Sequence, residues 1–150
     1  MPRSVRSTVG ALVLVLVYGT AVHIGQLAMG GRDPYPWAPW WLALYFVSLT
    51  FLDALAAALL ALLFRAGLVL AVAVLVTDAT ANGYAAYGLD AGGTAARVGQ
   101  AVVSAIALAS LLVAPRLWPW LGPRRRPCPR RSGHTRSRQG NSDAGGSGGA

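Results

Sequence analysis

Apolar residues in this chain neither alternate as in a strand nor recur as one helical stripe; they run on in four long stretches, 9–28, 40–64, 68–87 and 98–114. A helix rises ~1.5 Å per residue and the hydrocarbon core of a bilayer is ~30 Å thick, so about 20 residues cross it. The first three stretches meet that length and the fourth reaches its lower limit. The pattern predicts an all-α fold, an integral membrane four-helix bundle over 1–121. Beyond it, 122–150 is rich in Arg, Pro, Gly and Ser and reads as a disordered basic tail.

Two carboxylates interrupt the apolar pattern. Asp53 and Asp78 lie near the middle of the second and third stretches, where an aspartate costs ~2.5–3.5 kcal/mol on insertion scales, so both must be sheltered from lipid. Heights measured from the arginines at one end of the spans, Arg6, Arg65 and Arg116, sort the polar residues into two layers. Tyr18, Asp53, Asp78 and Ser104 fall ~18–20 Å away, and His23, Ser48, Asn82 and Gln100 ~24–26 Å away. Asp78 and Asn82 share a helix face at i, i+4, as do Gln100 and Ser104, while His23 and Gln26 are i, i+3. The reading is a polar pocket with Tyr18, His23, Asp53, Asp78 and Asn82 as its candidate ligand or proton groups. Gln26, Ser48, Gln100 and Ser104 support it from around the rim.

Facing carboxylates in low dielectric cannot both ionise cheaply, and such a pair titrates as a unit. His23 stands where it could exchange a proton with them. Carboxylates with an imidazole also suit a transition metal, but no metal site and no cofactor is assigned. The competing reading makes the same residues interhelical glue. Such bonds are worth only about 0.6 kcal/mol each, little beside the insertion cost of two aspartates.

Charge orients the bundle. All thirteen basic residues are arginine, and eleven of them fall at the two termini and in the Arg65 connection, against Arg32 and Arg97 in the other loops. By the positive-inside rule both termini are cytoplasmic and the protein resides in the plasma (inner) membrane. The absence of Lys and Glu alongside abundant Ala, Gly and Pro reads as coding bias rather than guanidinium chemistry. The first stretch is longer than a signal-peptide core and no A-x-A site follows it, so it is read as a retained span. Its neighbour, the 31–39 loop, holds three prolines with Tyr35, Trp37 and the following Trp40 and Trp41. It reads as an aromatic belt, with a lid over the pocket as the alternative. Segment four is expected to break at Pro115.

In the tail, Arg124, Arg125, Arg126, Arg130 and Arg131 are candidate contacts for anionic lipid headgroups, each contributing ~1 kcal/mol near the surface; nucleic acid is the less favoured partner. Only 12% of residues are charged, against about a quarter in a soluble domain. No phosphate-binding loop, Cys metal cluster or nucleophile elbow occurs, and a non-enzymatic role is favoured. Three functions follow: a pocket for a lipid-like or small polar ligand opening outward, a structural or accessory subunit of a homo-oligomer or larger membrane complex, or a proton-relay or small transporter component.

Overall fold

The computed structural model describes residues 1–122, so the basic tail expected from the sequence, with its five headgroup arginines, lies outside the described residues. Four helices follow one another: α1 (Arg3–Gly30), α2 (Trp40–Ala61), α3 (Arg65–Gly83) and α4 (Gly93–Leu117). A π-helical turn, Tyr84–Gly88, prolongs α3, and a 3₁₀ turn, Trp118–Trp120, follows α4. All four are long and apolar enough to cross a membrane, and no strand occurs among the described residues.

The helix ends have local causes. Gly31 stops α1 with φ +62°, a left-handed conformation without penalty for glycine. The Pro39 carbonyl accepts from Leu42 and Ala43 at 2.9 and 3.0 Å, which starts α2 directly after the proline-stiffened loop. Leu63 adopts φ +62°, and the Phe64 amide donates back to the Leu59 carbonyl at 3.0 Å, closing α2 with a Schellman-type turn. The connection between α2 and α3 is therefore 62–64, and Arg65-Ala66-Gly67, expected to be the link, already belongs to α3. Pro115 does not break segment four as expected. It sits two residues before the end of α4, where only the bond to the Leu111 carbonyl is lost, and the chain then tightens into the 3₁₀ turn. The first helix also begins at Arg3 and the fourth at Gly93, each several residues earlier than its apolar stretch.

Neighbours in sequence are neighbours in space. α1 packs on α2, α2 on α3 and α3 on α4, while α1 and α4 barely meet. Two cores result. One, at the hairpin end beside Arg65, joins Leu12, Leu16, Leu60, Leu68 and Leu117; the other, at the end carrying the 31–39 and 89–92 loops, joins Tyr35, Leu42, Phe46 and Leu49. At the hairpin end the Arg65 Nε donates to the Leu121 carbonyl at 2.9 Å and the guanidinium lies over the Trp118 ring. The Gly122 amide donates to the Leu63 carbonyl at 2.9 Å, so the end of α4 is clasped to the hairpin.

Gly67 faces the backbone of Leu59 and Leu60 so closely that a Cβ has no room. Such small-residue approaches hold apolar helices together by van der Waals contact. Gly67→Ala is therefore expected to destabilise by about 1–3 kcal/mol, the range for overpacking. Thermal unfolding in detergent checks this, and an unchanged midpoint would mean that α2 and α3 do not meet this closely.

Candidate functional site

A cavity of about 210 Å³ lies between the two cores and is lined from all four helices. Tyr18, Gly19, His23 and Gln26 come from α1, Asp53 from α2, Asp78 and Asn82 from α3, and Val102, Val103 and Ile106 from α4. The structure thus gathers all five principal candidates and Gln26 around one space. Tyr18 stands apart from the rest, being 72% exposed at the rim with no hydrogen bond.

Asp53 is the least exposed of the cavity's polar residues. Its side chain is only 8% exposed and makes no hydrogen bond among the described residues. Its Oδ2 lies 3.9 Å from His23 Nε2, beyond hydrogen-bond range. It fits because α1 has a glycine opposite: a Cβ on Gly19 would stand 2.6 Å from Asp53 Oδ2. Asp78 differs, since Asn82 Nδ2 donates to its Oδ1 at 2.7 Å and to its backbone carbonyl at 3.0 Å, one turn along the same helix.

His23 is fixed from the loop end. Its Nδ1 lies 3.2 Å from Gln26 Oε1, which also accepts from the Tyr35 hydroxyl at 2.8 Å. An amide oxygen only accepts, so His23 Nδ1 carries the proton and donates. The ring stacks on Phe46 at 6.4 Å between centroids. Tyr35, only 4% exposed, packs against Trp37 and Phe46 and covers this corner, while Trp40 and Trp41 remain exposed. Burial foremost, and the nearby Asp78 carboxylate in addition, push the Tyr35 hydroxyl above its ordinary range, which keeps it a donor.

Three of the expected supporting residues lie elsewhere. Ser48 donates to the Tyr45 carbonyl of its own helix at 2.6 Å. Gln100 and Ser104 bond each other at 3.0 Å, and Gln100 Nε2 reaches the Ala79 carbonyl of α3 at 2.7 Å, passing over Gly83. Gln100 lines a second cavity of about 510 Å³ at the loop end beneath Trp37, which shares Asn82 and Val103 with the central one. Gln100 Oε1 and Thr50 Oγ1 are buried without a partner. Among the described residues no three His, Cys, Asp or Glu side chains converge as a metal centre requires. A groove of about 600 Å³ along α3 and α4 at the hairpin end is lined almost wholly by apolar side chains, with Thr77 its one polar residue.

Gly19, Tyr35 and Phe46 were not legible as site residues. A glycine one turn before His23 was the available signal for the first; nothing in sequence spacing marked the other two. No family model, curated protein or solved structure matches this chain.

Two glycines of α1 test the site's packing. Gly19→Ala should lose about 1–3 kcal/mol by pushing on Asp53. Gly25→Ala, with nothing within 4 Å, should gain about 0.5–1 kcal/mol in thermal unfolding from improved helix propensity. Equal responses would show that Asp53 does not rest against α1.

Proposed function

We propose that this chain is an integral protein of the plasma (inner) membrane, both termini cytoplasmic, whose intramembrane pocket binds a lipid-like or small polar ligand. The observation that carries the reading is Asp53, a buried side chain whose carboxylate lines a cavity and has no hydrogen bond among the described residues. Buried polar groups are nearly always satisfied, and the exceptions mark sites that something else completes. The loop-end cavity that shares Asn82 and Val103 supports an outward opening. Eleven arginines on one side against two on the other support the orientation. Arg124, Arg125, Arg126, Arg130 and Arg131 would then face the anionic cytoplasmic leaflet.

A purely structural role, as an accessory subunit, accounts less well for the aspartates. Asp78 bonds within its own helix and Asp53 bonds nothing, so neither contributes an interhelical hydrogen bond. A proton relay from the loop is also disfavoured: Gln26 Oε1 accepts from both Tyr35 and His23 and has no proton to pass on.

Asp53→Asn separates these readings. If the carboxylate serves a ligand, the variant melts within about 1 kcal/mol of the parent, since Asn retains the shape, yet it loses the lipid that co-purifies with the parent in native mass spectrometry. Retention of the same bound species by Asp53→Asn, at the same occupancy, defeats the pocket reading. Orientation is checked by reporter fusions after Gly31, Phe64, Gly92 and Gly122, which should read outside, inside, outside and inside. An outside signal after Gly122 reverses the assignment.

A further inference from the structure

Two acceptors face each other across the central cavity without a donor between them. With the His23 Nδ1 proton engaged by Gln26 Oε1, the neutral ring turns a lone pair at Nε2 toward Asp53 Oδ2, 3.9 Å away. Both side chains are at least nine-tenths buried. No arginine among the described residues pairs with either aspartate of the cavity; the arginine–aspartate pair among them is the exposed Arg97–Asp90. A group that satisfies this arrangement presents at least two donors, one for each acceptor, and an ammonium does so while adding the positive charge that complements the carboxylate.

The cavity's size and surroundings define the rest of the occupant. At about 210 Å³ it is smaller than the ~300–1,000 Å³ that drug-sized molecules fill, so it accommodates a headgroup. Beside His23, Asp53, Asp78 and Asn82, the lining carries Val15 and Val22 of α1 and Val102 and Ile106 of α4, the two helices that flank the seam. Those two helices barely touch, and Val102 is 55% exposed along the seam. A molecule with its head among the carboxylates extends an apolar tail sideways through that seam.

We infer that the pocket binds a single-chain amphiphile with a protonated primary or secondary amine headgroup, entering from the bilayer between α1 and α4. This rests on the pocket reading above and names its ligand class. The ammonium donates to Asp53 Oδ2 and His23 Nε2, with Asp78 as a second counter-charge, and the tail lies against Val22, Val102 and Ile106.

The test uses the full chain in nanodiscs, with empty nanodiscs subtracted, and calorimetric titration of four probes. Dodecylamine should bind at least tenfold tighter than dodecyltrimethylammonium, which has charge but no N–H, and than dodecanol, which has no charge. Butylamine, the same headgroup without the tail, should bind at least a hundredfold more weakly, which separates a bilayer amphiphile from a water-borne amine. Asp53→Asn should reduce dodecylamine affinity at least tenfold. Val102→Trp, at an exposed position that spares the core, should do the same by filling the seam. Equal binding of dodecylamine and dodecanol, both abolished by Val102→Trp, overturns the ammonium assignment and leaves the pocket reading standing. Dodecylamine binding that neither substitution weakens overturns the seam site. Absence of binding by every probe, together with no co-purified lipid, overturns both.

Discussion

Among the described residues nothing hydrogen-bonds the carboxylate of Asp53, which is buried beside an open cavity. Its carboxylate rests against the bare Cα of Gly19, 3.9 Å from an imidazole whose donor is committed elsewhere, with leucine and valine layers on either side. An unpaired polar group in such surroundings costs several kcal/mol when it stays ionised and dry. The fold meets that cost by leaving a space beside the carboxylate rather than filling it. Much of the interior follows from this choice. Gly19 makes room, Phe46 and Gln26 hold His23 in place, and Tyr35 folds in from the loop to hold Gln26.

Elsewhere the polar residues are spent locally. Thr8, Thr20 and Thr80 each bond the carbonyl one turn before them, which satisfies the hydroxyl without linking helices. Side-chain bonds between helices are few. The Tyr45 hydroxyl reaches Thr77 across α2 and α3 at 2.9 Å, and Gln100 reaches the Ala79 carbonyl across α3 and α4. Cohesion therefore comes chiefly from close approach of small residues, with Gly67 against Leu59–Leu60 and buried Ala56 and Ala71 nearby. Such packing is strong along α1–α2–α3–α4 in order and weak where the ring would close. The same economy that builds the bundle leaves the α1–α4 seam as its least secured face.

The two ends are built differently for a related reason. At the hairpin end a three-residue connection, a left-handed Leu63 and the Arg65 clasp on Leu121 and Trp118 hold the helices close. At the loop end α3 loosens after Gly83 into a π-helical turn, where the absent side chain of Gly83 admits Gln100. π-turns inside helices recur at functional positions because they redirect side chains without ending the helix. Here the turn sits beside Asn82, the residue shared by the two cavities.

The sequence by itself determined the four helices, because twenty apolar residues in a row satisfy their own backbone only as a helix. It also determined which polar residues share a level, since the ~1.5 Å rise per residue holds for any helix. Tyr18, His23, Asp53, Asp78 and Asn82 were legible for that reason. Height along a helix says nothing about rotation or rotamer, and there the tertiary structure decided. Ser48 stands level with His23 yet turns back to its own helix, and Gln100 and Ser104 bond each other on the far side of Asn82. The end of α4 shows the same limit locally, because what a proline costs depends on how many helical bonds remain beyond it. Only packing set Gly19 against Asp53, folded Tyr35 over Gln26 and left α1 apart from α4, because those contacts join residues whose relation exists only once the helices have chosen their faces.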